Sequence, residues 1–224
     1  MSDIGFQRAR SDEAKQQREQ AILTAATRLG ADRGIRTVTL TDIAAEVGMH
    51  KSALLRYFET REQIFLKLTA AGWRDWGAAL RAAFEGMTDD FDTHNPASSP
   101  ALVAQAIADS LVARPMFCDL LAQAPLNLER NVSLESVREF KLVTLEEVEG
   151  IGAELTRLLG LTEQQRVDVI ATATSMAGAL WQMATPGAEV EALYRSDPRL
   201  GHAIVEVGPR LVRVLTALLQ GMRG

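Results

Sequence analysis

The chain has 224 residues, 47% hydrophobic and 24% charged, with a formal net charge of −5. That composition fits one large or two modest globular domains and excludes disordered and fibrous classes. A single cysteine, Cys118, excludes an internal disulfide and any multi-cysteine metal site.

No window approaches the roughly 18 apolar residues of a membrane span. The stretch MSDIGFQRARSDEAKQQREQ carries charges where a signal peptide needs an apolar run, so a soluble, cytoplasmic protein is expected. Residues 1–70 hold 11 Lys+Arg against 9 Asp+Glu, whereas residues 71–224 hold 13 against 20. A mildly basic first part on an acidic remainder is compatible with phosphate contact by the first part alone.

Helical periodicity runs along the chain, and no period-2 strand or hairpin signal is evident, so an all-α fold is expected. The first helix is predicted from about Asp12 to Arg33, burying Ile22, Ala25, Ala26 and Leu29 and ending at Gly34. A second, Thr39 to Val47, takes Thr39 or Thr41 as its cap and buries Ile43, Ala44 and Val47. It stops at Gly48, where a left-handed residue is wanted. A third spans about Lys51 to Phe58 with Leu54 and Phe58 inward.

After Thr60, a predicted N-cap, apolar positions recur through Ile64, Phe65, Leu68, Trp73, Trp76, Leu80 and Phe84, the signature of one long helix. TDDFDTHNPASSP (88–100) reads as a loop. Further helices are predicted at about 100–113, 115–123, 133–159, 162–184 and 203–221, with Pro209 inside the last, where it could kink it, or near its start.

Two short helices around Gly48 bury too little to stand alone and must lean on the first, giving a three-helix helix-turn-helix unit. With Leu54 and Phe58 inward, Ser52 and Arg56 lie on the opposite face of the third helix. Short Ser52 and Ala53 permit close approach to base edges, His50 and Arg56 can donate to guanine, and Lys51 is placed for phosphate. Thr39, Thr41, Tyr57 and Arg61 flank this face, and the starts of the second and fourth helices favour anions.

The ordered series of a long first helix, TVTLTDIAAEVGMHKSALLRYFETREQIF and a long amphipathic connector resembles the DNA-binding head of the tetracycline-repressor (TetR) family of bacterial transcription regulators. The resemblance covers roughly residues 15–70. Thr39, Ile43, Ala44, Val47, Gly48, Lys51, Leu54, Tyr57, Phe58, Glu62 and Ile64 hold the family's expected places. It implies that His50 to Ala53 read bases and that Thr41, Lys51, Tyr57 and Arg61 hold phosphates. Departures are His50 where the family usually caps with Ser or Thr, Leu55 for a frequent tyrosine, Ser52 for a common glycine and Arg61 for a common lysine.

The implied plan is a head at 1–60 joined by the long helix to a helical ligand-sensing and dimerisation body at 61–224. By resemblance, the partners are a palindromic double-stranded DNA operator, a second copy of the chain and a small, largely apolar effector that releases a repressor. Trp73, Trp76, Phe84, Phe117, Leu121 and Trp181 are candidate pocket residues, although aromatics at helical spacing are also core formers. Gln123, Asn127 and Gln182 could orient a ligand or serve as caps. The apolar faces of the helices at 162–184 and 203–221, with Val169, Ile170, Met176, Leu180, Leu211, Leu215 and Leu218, are the expected dimer surface.

His94 and His202 have no partners at ligand spacing, so no metal site or cofactor is expected. No phosphate loop, nucleophile elbow or metalloprotease motif appears, and Glu146 and Glu147, on different helix faces, read as solvated surface. A protein-interaction module that reuses the head, and a small helical enzyme, remain the alternatives.

Overall fold

The computed structural model describes residues 3–88 and 98–222, with side chains from 13 to 87 and from 100 to 222. The α-helices among them are α1 (Asp3–Arg33), α2 (Leu40–Glu46), α3 (Lys51–Leu54), α4 (Arg61–Glu85), α5 (Ser98–Val112), α6 (Pro115–Gln123), α7 (Leu134–Leu159), α8 (Glu163–Ala184), α9 (Ala188–Ser196) and α10 (Val207–Gly221). No strand occurs among the described residues, so the fold is all-α. No single described helix is long and apolar enough to cross a membrane.

The three N-terminal helices pack as the apolar spacing dictates: Ile22, Ala26, Ile43, Ala44, Leu54 and Phe58 are all buried. Thr39 accepts from the amide of Asp42 while Asp42 reaches back to the Thr39 amide, closing a capping box at the start of α2. Gly48 has φ +65° and nothing within 4 Å of where a Cβ would stand, so only its backbone conformation demands glycine. Gly48→Ala should therefore cost about 1 kcal/mol from strain alone, and Gly48→Asn less, read from urea unfolding midpoints. Equal midpoints for all three proteins would contradict this.

The body is built around α4, which packs against α5, α6 and α7; α8 rests on α6, and α10 covers α5 and α8. The α4–α7 contact encloses an ion pair, so Glu147 is not the solvated residue expected. Glu146 is exposed, but Glu147 is buried and its Oε2 accepts from Arg81 Nη1 at 2.7 Å. Glycines make the slot: a Cβ on Gly77 would stand 2.1 Å from Glu147 Oε2, and one on Gly150 3.0 Å from Arg81 Nη1.

Boundaries shift where apolar spacing carries no signal. α1 begins at Asp3 rather than near residue 12, because the stripe marks only the packed part of a helix. α3 is a single turn whose chain of tight turns reaches Phe58, with the Tyr57 and Phe58 amides donating to the Leu54 carbonyl. Pro209 is the third residue of α10, near its start, where no amide is needed. α9 and the 3-10 turns at Pro198–Ala203 were not anticipated; α9 has no buried residue and so offers no core stripe to read. The loop expected at 88–100 lies outside the described residues except at its ends, and His94 lies outside them altogether.

Candidate nucleic-acid interface

The face opposite Leu54 and Phe58 is open. His50, Lys51, Ser52, Leu55 and Arg56 are exposed, while Ala53 and Tyr57 are half-buried. Among the described residues, His50, Lys51, Ser52 and Arg56 have no side-chain hydrogen bond or ion pair, and His50 caps α3 through its backbone only. Two cations, a hydroxyl and an imidazole thus stand free on one turn of helix, the donor set that base edges and phosphates accept. Exposed Leu55, adjoining Ser52 and Arg56, adds an apolar contact to this face that the sequence reading set apart as a departure.

What holds that turn in place is as specific as what it displays. Arg33 Nη2 lies 2.9 Å from Asp42 Oδ2, and Arg28 pairs with Glu46, so α2 is tied to α1 at both ends. These pairs are partly exposed and each is worth little alone. Thr39 is exposed, yet its hydroxyl donates to Asp42 Oδ2 at 2.7 Å and accepts from the Asp42 amide at 3.2 Å, so it serves the cap; Thr41 is exposed and uncommitted.

Arg61 is the clearest departure from the expected phosphate set. Its guanidinium donates to the carbonyls of Val38 and Ile35, pairs with Glu62 at 2.9 Å and lies 4.6 Å above the Phe65 ring. Three of its five N–H groups are thus committed within the protein, which makes it first a clamp on the turn before α2.

The amide of Thr39, then its hydroxyl, then Arg33, hold the Asp42 carboxyl below its ordinary value of 3.8. A depressed carboxylate contributes stability that is fully present above about pH 3.8 and is lost as pH falls through its lower folded value. Wild type should therefore exceed Asp42→Asn in urea stability at pH 7, and the gap should narrow below pH 3.8. A gap constant down to pH 2.5 would contradict that linkage.

Two carboxylates add to the contacts that join the head to the body. Buried Asp119 of α6 accepts from the Ile35 amide at 3.0 Å and from Gln182 Nε2 of α8 at 2.8 Å. Glu59, just after the recognition turn, accepts from the Ser133 amide at 2.8 Å and from Ser136 Oγ at 3.0 Å at the start of α7. Neither role is legible in the sequence, since a single carboxylate outside any motif carries no periodic signal.

The expected pocket residues divide: Trp73, Trp76 and Phe84 are buried in the core, whereas Trp181 and Phe117 border cavities. Trp73 packs edge-to-face on Trp76 and on Phe117, and Trp76 lies tilted against Phe117, with ring centroids 5.4, 5.8 and 6.0 Å apart respectively. Trp76 and Phe84 are wholly buried, so both are core residues. The Trp76 indole donates to Ser110 Oγ at 2.9 Å. Leu121 is half-buried against the core.

Open cavities lie along the head–body junction. One of about 680 Å³ is lined by Gly30, Arg36, Met116, Asp119, Trp181 and Gln182. A second, about 310 Å³, runs between α1, α4 and α7 over Leu23, Leu66, Ala70, Phe140 and Val143, with Gln63, Lys67, Arg74, Ser136 and Glu139 also lining it. Asn127 donates to Gln123 at 2.7 Å beside a third, polar cavity. Phe117 also edges a cavity beside Leu68 and Met116.

The expected dimer residues also need correction. Val169, Ile170, Leu180, Leu211 and Leu215 are buried within the single chain, so they form its core and cannot meet a second copy. Met176 and Leu218 are half-buried and remain accessible. A helix in a small body has two apolar faces when it packs inward and pairs outward, and spacing alone does not separate them.

His202 lies in a 3-10 turn with Nδ1 3.0 Å from the Arg199 carbonyl. No group of three or more His, Cys, Asp or Glu placed to hold a metal occurs among the described residues.

Residues 22–68 match the family described as bacterial regulatory proteins, tetR family, and residues 70–224 match the tetracyclin repressor-like C-terminal domain. Among solved structures, a TetR/AcrR-family transcriptional regulator from Thermobifida fusca is 19% identical, with TM-score 0.52, 93% of this chain covered and 100% of the other. The TetR-family regulator PfmR from Thermus thermophilus is 17% identical, with TM-score 0.51 and coverage of 91% and 94%. At such identities the likeness concerns the fold. No curated protein matches the chain.

Proposed function

Because the chain belongs to the tetracycline-repressor family of bacterial regulatory proteins, and therefore has the fold of a DNA-binding transcription regulator, we propose that it is a ligand-responsive homodimeric repressor of a palindromic operator. Residues 1–60 are the DNA-binding head and 61–224 the sensing and dimerisation body. The observation that carries this reading is the unpartnered set His50, Lys51, Ser52 and Arg56 on a turn held by buried Leu54 and Phe58. In this reading His50, Ser52, Ala53 and Arg56 face bases, and Thr41, Lys51 and Tyr57 face phosphates. The protein works in the cytoplasm without a cofactor.

One such turn reads few base pairs, so two copies about 34–36 Å apart are needed to read successive major grooves. The outward stripe of α8, with Ala171, Ser175 and Ala179, and that of α10, with Val214 and Ala217, offer small uncharged residues to a partner. Met176 and Leu218 flank them, and the same helices from the partner complete a four-helix interface.

The groove over Leu23, Leu66, Ala70, Phe140 and Val143 suits a largely apolar effector and touches head, connector and body together. An effector that fits one spacing of the heads better than another shifts operator affinity by the difference, typically about 1–3 kcal/mol.

Binding of the full chain to duplex DNA over a range of salt concentrations tests the reading. With about six phosphates contacted, log affinity should fall with a slope near −5 against log salt. A flat response would instead favour the protein-interaction module, and turnover of a groove ligand would favour the enzyme.

A further inference from the structure

Glu59 closes a ring of polar contacts between the recognition turn and the body. Its amide donates to Gln63 Oε1 at 2.8 Å, Gln63 Nε2 donates to Ser136 Oγ at 2.9 Å, and Ser136 Oγ donates back to Glu59 Oε1 at 3.0 Å. The same carboxylate oxygen accepts from the Ser133 amide at 2.8 Å. Ser133 is the N-cap of α7, and its own hydroxyl accepts from the Ser136 amide at 3.3 Å and donates to Ser136 Oγ at 3.1 Å. Each hydroxyl in the ring gives its one proton and takes the rest as acceptor, so the network is satisfied throughout.

Residues from three places are thus locked together: the chain directly after Phe58, the first turn of α4 and the first turn of the 26-residue α7. A carboxylate at the start of a long helix also meets the positive end of its dipole.

We propose that Glu59 is a positioning residue for DNA recognition: it fastens the end of the recognition segment to the start of α7 and so sets the angle at which the head meets a groove. This rests on the DNA-regulator reading above. Phe58 is buried in the head and Ser136 at the edge of the body, with Glu59 the covalent neighbour of one and the hydrogen-bond partner of the other. Gln63 and Ser136 also line the α1–α4–α7 groove, so the ring forms the polar end of that cavity. A rearrangement of α7's first turn there reaches the recognition segment through one side chain.

The Glu59 carboxyl lies below its ordinary value, chiefly through the Ser133 amide. The ring therefore persists unprotonated at neutral pH.

The test compares Glu59→Ala, Glu59→Gln, Ser136→Ala and, as a control on the exposed α9 ion pair, Glu191→Gln, all in the full chain. Two readouts are taken: exchange of the Ser133 amide in the free protein, and affinity for a duplex selected by wild type from a random pool. Glu59→Gln removes the charge but keeps the acceptor, so it controls for repulsion between Glu59 and DNA. Relative to Glu59→Gln, Glu59→Ala should bind the selected duplex roughly five- to tenfold more weakly, with faster Ser133 exchange and a similar melting temperature. Ser136→Ala should follow in the same direction, and Glu191→Gln should match wild type.

Equal affinity and equal exchange for Glu59→Ala and Glu59→Gln would overturn the proposal. Should wild type select no duplex at all, the DNA reading fails instead. Unaltered Ser133 exchange in Glu59→Ala would then still overturn the ring separately.

Discussion

Replacing Gly178 with valine should destabilise the chain by more than about 3 kcal/mol, or prevent it from folding, because α6 and α8 cross at backbone contact there. A Cβ at Gly178 would stand 2.8 Å from the Ala122 amide nitrogen and 3.1 Å from its Cα. Those are backbone atoms of a packed helix, so relief requires the two helices to separate rather than a side chain to rotate. Gly178→Ala should already cost about 1–3 kcal/mol, against the usual gain from alanine in a helix.

Gly208→Ala supplies the comparison, since its Cβ would meet only Val112 Cγ2 at an ordinary 3.5 Å and stability should hardly change. The consequence reaches beyond stability. α6 carries Asp119, which holds the Ile35 amide of the head, so a shifted α6 should also weaken DNA binding in any Gly178→Ala protein that folds. Urea unfolding of the three variants checks the first claim. Equal midpoints for Gly178→Ala and Gly208→Ala would refute it.

The second large effect is expected on the recognition turn itself. Lys51→Ala should weaken binding to every duplex by a similar factor and reduce the salt slope by about one, because it removes one phosphate contact. Arg56→Ala should cost about 1–3 kcal/mol on the preferred sequence and much less on others, relaxing specificity at one position of each half-site. Neither side chain has a partner among the described residues, so neither loss should be accompanied by a drop in melting temperature. The contrast with Arg61 is informative. Its guanidinium holds the Val38 and Ile35 carbonyls, so Arg61→Ala should lower stability as well as affinity. A uniform loss across all sequences for Arg56→Ala would contradict its assignment to bases.

The helix-turn-helix was legible because two constraints coincide there. Ile43, Ala44, Leu54 and Phe58 must turn inward for so short a pair to bury anything, and Gly48 must adopt a positive φ; both are written in residue type and spacing. Once those faces are assigned, Lys51, Ser52 and Arg56 have nowhere to point but outward. The body was legible as helices, yet its surfaces were not. Val169 and Leu215 have the same apolar character whether they pack inward or meet a partner, and only the three-dimensional arrangement shows that they are enclosed. Trp76 and Phe84 posed the same ambiguity between pocket and core.

Polar contacts over long sequence separation left even less trace. Glu147 in its glycine-lined slot, Asp119 under the head and Glu59 on α7 are each one carboxylate among many, and their roles depend on partners 66, 84 and 74 residues away. α9 escaped notice for the opposite reason: with no residue buried, it has no periodic stripe.

Selection of duplexes from a random DNA pool by the purified full chain, followed by sequencing, tests the central claim most directly. The account predicts an enriched palindrome with half-sites about one helical turn apart, the spacing two symmetric recognition turns require. Soluble, folded protein that enriches no sequence would contradict it.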